Sequence, residues 1–200
     1  MPITNSKEWY DKSEIDYFSA FLKLWLSFNA FYKRLYQADR SLKLDRQFIE
    51  HLKSTDNIVK DRFREYYITL QSSEAVEFRF YFGEFVRAYS GPRLGNKSIV
   101  RDNFKGVKPQ MNGSAVNEIN FFQFIHPRKH TLRNNNINGY IKIENLYISN
   151  DINSLFPVFI EMLYMMRNLL VHGVMEPSEE NHKSIKCCYI LLRHLIKNEV

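Results

Sequence analysis

One stretch constrains this chain more than any other: LFPVFIEMLYMMRNLLVHG, residues 155–173. It predicts a helix of about five turns. Its polar side chains are few: Glu161 in the middle, then Arg167, Asn168 and His172 toward the end. A helix that is apolar on nearly every side has to be covered on nearly every side. It is therefore expected at the centre of a helical fold or at an interface, and its polar end calls for a separate explanation.

The composition allows such a centre. Two hundred residues suit a single domain, 1–200, with an insert over roughly 90–150. Sixteen Phe and twelve Tyr supply a large core and argue against a disordered chain. The net charge of +6 is compatible with a polyanionic partner without identifying one. The only cysteines, Cys187 and Cys188, are adjacent, so they cannot staple distant segments, and no C-x-x-C pair exists. The N-terminus lacks the basic-then-apolar plan of a signal peptide. No uncharged apolar run reaches eighteen residues, so no membrane span and a cytoplasmic location are expected.

In chain order, Ser13 precedes a helical run in which Phe18, Phe21, Leu22, Trp25, Phe28 or Asn29, and Tyr32 recur at intervals of three and four. Leu24, Leu26, Phe31 and Leu35 widen its apolar surface, and Asn29 sits inside that surface, where an amide must be hydrogen-bonded. Asp45 is expected to cap a second helix, RQFIEHLKS. A third is expected over 57–70. Ser72 or Ser73 precedes EAVEFRFYFGEFVRAY, whose alternation also fits a strand. The acidic residues Glu74 and Glu77 near its start favour helix.

Residues 90–114 hold four glycines and two prolines, with Arg93, Lys97, Arg101, Lys105 and Lys108 against one acidic residue. Arg87 stands just before them. A solvated surface loop and an arm on a nucleic-acid backbone are both open. A short helix is expected over 117–125. YIKIENLYI, residues 140–148, is the best strand candidate, with a partner expected at 130–133 in a small hairpin. Asn153 or Ser154 is expected to cap the long apolar helix, with Pro157 in its first turn. That helix should stop at Gly173, and Ser178 should start the last one.

Arg167 and His172 are about 140° apart around an ideal helix axis. They converge on one groove only if the helix end frays or a partner helix contributes. An arginine offers a fork of donors suited to phosphate, and histidine is the side chain that titrates nearest neutrality. Together they could cleave RNA without a metal, the imidazole taking the proton of a ribose 2′-OH and the guanidinium holding the phosphorane. Spacing alone equally allows His172 to rest against the helix dipole and Arg167 to pair with an acid. The pair His126 and His130 is interrupted by Pro127 and two cations, which argues against a metal site. His182 and Lys183 follow the Arg-to-His segment closely enough to approach a bound phosphate. No phosphate-binding glycine loop is present.

Arg167-Asn168-x-x-x-His172-Gly173 at the end of a long apolar helix resembles the signature of the HEPN superfamily: an arginine, usually a polar residue next, and a histidine four to six positions on. Residues 13–32, with Trp25-x-x-Phe28-Asn29-x-x-Tyr32, resemble the first long helix of Apea-like or related bacterial HEPN proteins. The two stretches cover roughly a fifth of the chain. The resemblance implies an all-α, up-and-down helical bundle, here with an inserted basic loop region and a small β-hairpin. It also implies a homodimer whose two motifs form one cleft. In that reading Arg167 and His172 are the catalytic pair, Asn168 orients them, and Asn29 supports the site from the first helix. Arg87, Arg93, Lys97, Arg101, Lys105, Lys108, His182 and Lys183 would contact the RNA backbone. The activity implied is a metal-independent endoribonuclease with no cofactor, in a toxin–antitoxin or anti-phage setting with an antitoxin or defence partner. The alternative is a non-catalytic RNA-binding or protein-interaction module. His172 is followed by Gly173 and Val174, so the tyrosine two residues on that marks one toxin branch is missing.

Overall fold

The computed structural model describes residues 16–88, 93–94, 97–98, 125–126, 139–143, 146–175 and 177–199. Among them, six helices form a bundle: α1 (Tyr17–Leu35), α2 (Asp45–Ser54), α3 (Ile58–Arg64), α4 (Ser73–Ala88), α5 (Ile152–Val171) and α6 (Glu179–Ile196). A π-helical turn, Glu65–Thr69, continues α3. Residues 73–88 are helix and not strand, so the acidic start outweighs the local alternation.

Local chemistry sets most helix starts. Asp16 caps α1 by accepting from the amides of Phe18 and Ser19; Ser13 lies outside the described residues. Asn57, Ser72 and Ser178 accept from the amides of Lys60, Ala75 and Asn181 at the starts of α3, α4 and α6. Two expected caps are displaced. At α5 the cap is Asp151, accepting from Asn153 and Ser154, which puts Pro157 in the second turn. At α2 Asp45 is the first helical residue, and Gln47 Oε1 takes the amides of Lys43 and Leu44 instead. The Asp45 carboxylate is unavailable for capping because α1 holds it, as described below.

The core is aromatic. Phe63 of α3 lies at its middle, with the rings of Tyr67, Phe78, Phe82, Phe156 and Phe159 at centroid distances of 5.1–5.8 Å. Such pairs contribute about 0.5–1.5 kcal/mol each beyond their buried area. α5 is long and apolar enough to cross a membrane, and among the described residues no other helix is. In this fold it is the central helix, packed against α1, α2 and α3, with most of its length buried. Its Glu161 is buried with partners: Arg46 and Lys53 of α2 each reach it at 2.6 Å. α1 runs beside α6 in the same sense, Tyr17 meeting His182 and Tyr189 at one end and Arg34 reaching the Glu199 carbonyl at the other. Cys187 and Cys188 are buried free thiols, and burial pushes the Cys187 thiol up to about 12.

The strand expected over 140–148 is two strands, β4 (Tyr140–Ile143) and β5 (Leu146–Ser149), folded back on each other. A straight strand would send Ile141 and Ile143 to one face and Leu146 and Ile148 to the other. Folding back pairs Ile141 with Ile148 and Ile143 with Leu146, so all four register positions share one face. β5 also pairs with β3 (Ile125–His126), where a helix end was expected. The expected partner at 130–133 lies outside the described residues, as does all of the helix expected over 117–125 except Ile125, which stands in β3. Arg93–Leu94 and Lys97–Ser98 form a separate antiparallel pair, β1 and β2.

The hairpin docks on the bundle through Tyr67, whose hydroxyl donates to the Ser149 carbonyl at 2.9 Å, and through Gly83 of α4. A Cβ at Gly83 would lie 2.8 Å from Ile143 Cγ2. Gly83→Ala is expected to be net destabilising. Overpacking costs about 1–3 kcal/mol, while the helix preference for alanine returns about 1 kcal/mol. Chemical denaturation checks this, and a rise in stability would mean that Ile143 can step aside.

Candidate active site at the end of the central helix

From Val158 onward α5 is buried except at Tyr164, Arg167, Asn168, Leu170 and Val171, and all of these but Leu170 form one stripe near its C-terminal end. The stripe positions follow the i, i+3, i+4, i+7 rule for one helix face. Arg167 is half-buried, and its Nη1 donates to Asn168 Oδ1 at 2.8 Å. Among the described residues no carboxylate pairs with it. Several other cations that are buried or half-buried differ: Arg46 and Lys53 have Glu161, Lys60 has Asp56, Arg62 has Glu199 and Arg87 has Glu84. Half-buried Arg79 instead donates to the Tyr66 and Leu70 carbonyls, and half-buried Lys186 lies over the Tyr17 and Tyr81 rings. Arg167 has the neutral Asn168 amide as its one hydrogen-bond partner among the described residues, which leaves the other donors of its fork without a partner among them.

His172 is the C-terminal cap of α5. Its amide donates to the Asn168 carbonyl at 3.0 Å, but its backbone has left helical geometry, at φ −86° and ψ 3°. Gly173 follows at φ +64°, the left-handed conformation that ends a helix. Val174 then donates back to the Leu169 carbonyl at 2.9 Å. The backbone at His172 is thus fixed from both sides while its imidazole stands exposed, with no hydrogen bond or ion pair among the described residues. His172 is the residue at which α5 ends.

Beside the stripe lies a polar cluster from α1 and α2. Asn29 Nδ2 donates to the Tyr32 hydroxyl oxygen at 2.6 Å and to Asp45 Oδ1, and the Tyr32 hydroxyl donates to the same Oδ1. Lys33 stands 3.8 Å from Asp45. Tyr164 ties the cluster to α5: the Trp25 ring is 6.0 Å from its ring and the Arg46 guanidinium 5.3 Å from it. Burial, followed by the hydrogen bond and charge of Asp45, holds the Tyr32 hydroxyl well above its usual range, and the charge of Arg167 pulls it the other way.

Asn29 is therefore placed among hydrogen-bond partners, as a half-buried amide requires. Asp45 was read only as a cap; its part in this cluster comes from packing of α2 on α1 and carries no local sequence signal. The residues expected at an RNA backbone stand in several elements or outside the described residues. Arg87 is engaged by Glu84. Arg93 and Lys97 stand in β1 and β2, and Arg101, Lys105 and Lys108 lie outside the described residues. His182 accepts from the Tyr17 amide through Nε2 at 3.2 Å and packs 5.4 Å from the rings of Tyr17 and Phe18. Lys183 is exposed, 3.8 Å from Glu179. Among the described residues no group of three or more His, Cys, Asp or Glu side chains is arranged so that it could hold a metal ion.

No protein-family profile, no curated protein and no solved structure matches this chain.

Proposed function

We propose that the chain is an endoribonuclease that cleaves without a metal, using Arg167 and His172, with Asn168 orienting the arginine. The observation that carries this reading is the half-buried Arg167 near the exposed His172 at the end of α5: its one hydrogen bond among the described residues is to the neutral Asn168 amide, where Arg46, Lys53 and Arg62 have carboxylates. Such a guanidinium is suited to take an anion. In the reaction His172 removes the proton of a ribose 2′-OH, and the 2′-oxygen attacks the adjacent phosphorus. The P–O5′ bond breaks, and the 5′-oxygen leaves with the proton that the His172 imidazolium returns. Arg167 stabilises the negative charge on the phosphorane oxygens. The products are a 2′,3′-cyclic phosphate and a 5′-hydroxyl.

The site is completed by a second copy of the chain in a homodimer, which supplies the groups that hold the exposed imidazole. Exposed Leu26 of α1 and Val171 and Val174 beside His172 give that contact an apolar component. Restraint of such a nuclease by an antitoxin or defence partner belongs to the same proposal. A second reading, a module that binds RNA or protein without turnover, is favoured by the imidazole's lack of a fixed orientation.

Incubation of the native protein with RNA in EDTA separates the two. The first expects fragments ending in a 2′,3′-cyclic phosphate, from a dimeric species. Binding with no cleavage, or cleavage only with added magnesium, would reject it.

A further inference from the structure

From Val158 to its last residue, α5 has three polar side chains that are not buried: Tyr164, Arg167 and Asn168. The proposed chemistry uses the second and third. Tyr164 stands one turn before Arg167 on the same face. A helical side chain leans over the turn before its own Cα, so the arginine extends toward the turn that carries the tyrosine. The Tyr164 ring is held from two other helices. The Trp25 ring of α1 is 6.0 Å away, tilted at 50°, and the Arg46 guanidinium of α2 lies over the Tyr164 ring at 5.3 Å. Arg46 is itself clamped by Glu161 and Glu50, which commits it to the fold. The Tyr164 hydroxyl is not committed: it makes no hydrogen bond among the described residues, and its oxygen is not buried. A phenol hydroxyl has one proton to donate. With the ring fixed, that donor is presented to solvent in a set position on the Arg167 face.

We propose that Tyr164 is a substrate-binding residue: its hydroxyl donates to the RNA phosphate next to the one held by Arg167 and so sets the register of the strand on the site. This inference rests on the proposed use of Arg167 on RNA, and it adds a residue that the Arg-to-His spacing does not contain. A hydroxyl on the backbone positions a strand without reading its sequence. Base stacking is the poorer use of this ring, because a base on the covered face would have to displace an arginine held by two carboxylates. The contact is also neutral. It adds to the hold on the strand but, unlike that of an arginine, displaces no counterion from the phosphate.

The test is a binding titration of the full chain over a range of salt. The probe is a labelled single-stranded RNA whose 2′-hydroxyls are replaced by fluorine, so that no 2′-oxygen can attack. Tyr164→Phe keeps the ring and its contacts, so its thermal midpoint should match the native one. It is expected to bind the probe about 10-fold more weakly at every salt concentration, with the slope of log affinity on log salt unchanged. Arg167→Ala is expected to flatten that slope by about 0.7. Native affinity in Tyr164→Phe overturns the proposal, and so does a loss confined to Tyr164→Ala, which would assign the effect to the ring. On cleavable RNA in EDTA, Tyr164→Phe is expected to raise KM about 10-fold and leave kcat unchanged. A fall in kcat at constant KM would put the hydroxyl on the reacting phosphate and overturn its place on the neighbouring one. A native protein that binds the probe and cleaves no RNA rejects the nuclease reading alone, and the titration still decides the role of Tyr164. A native protein that does not bind the probe rejects both.

Discussion

His172→Ala is expected to reduce metal-free RNA cleavage by about 10²- to 10⁴-fold, the usual contribution of a positioned acid or base. The same change should leave folding stability within about 0.5 kcal/mol, because the imidazole is exposed and has no hydrogen bond or ion pair among the described residues. That pairing of a large kinetic effect with a small thermodynamic one is what distinguishes a reacting group from a structural one. Rates measured in EDTA and thermal midpoints measured on the same samples check it. If His172 only complemented the α5 dipole, the order would reverse: stability would fall by up to about 1 kcal/mol and cleavage would persist. Arg167→Lys adds a finer comparison. It keeps the charge and removes the planar fork, so it is expected to recover only a part of the activity lost in Arg167→Ala.

The second large effect is on stability. Glu161→Gln is expected to destabilise the fold by about 3 kcal/mol, near the low end for breaking a buried ion pair. Glu161 lies within the core on α5, and the change leaves Lys53 and Arg46 without their shared carboxylate. Glu50 still faces both, with Lys53 2.9 Å from it, and limits the loss. The pH dependence has a definite sign. Burial raises the Glu161 carboxyl, but the Arg46 hydrogen bond and the charge and hydrogen bond of Lys53 outweigh it and hold it below the usual range. A carboxyl lowered on folding stabilises the fold above its unfolded value, about 4.3 for glutamate. That contribution is lost as pH falls through the folded value. Denaturant titrations at pH 7 and below pH 4 should therefore show the wild type losing its advantage over Glu161→Gln in acid. A constant gap between the two proteins would mean that Glu161 contributes by shape and not by charge. Substituting all of Glu161, Arg46 and Lys53 with apolar residues of similar volume is the control, and it should recover much of the loss.

The parts of this fold legible in the sequence are those decided locally. The intervals of three and four that run through residues 18–32 announce α1, and a polar residue caps each of α1, α3, α4, α5 and α6 because backbone amides there need acceptors. The errors have a common origin. Asp45 has the right chemistry for a cap and stands next to the right position, but Tyr32 and Asn29 reach it from thirteen and sixteen residues away and take the carboxylate for themselves. Residues 140–148 have the composition of a strand, and only the opposite parity of their two apolar pairs hints at a fold-back. The candidate site divides in the same way. Arg167, Asn168 and His172 lie within one turn and a half, so spacing finds them. What Arg167 lacks is a carboxylate partner, and that is a property of the folded surroundings that no sequence interval contains. Tyr32 shared a helical face with Asn29 in the sequence, but its hydrogen bond to Asp45 depends on α2 packing against α1.

The π-helical turn at residues 65–69 has a consequence for how the chain can change. A turn closed by i→i+5 bonds holds one residue more than an α-helical turn. Tyr66 faces His194 of α6, while its neighbour Tyr67 faces Phe82 and holds the hairpin at Ser149. Deleting one residue within this turn would restore ordinary helix and rotate whatever follows by about 100°. Insertions and deletions are tolerated where a loop absorbs them, but here a single residue sets the angle between two tyrosines that serve different neighbours. The fold can therefore accept changes of length around this turn far less readily than changes of side chain within it.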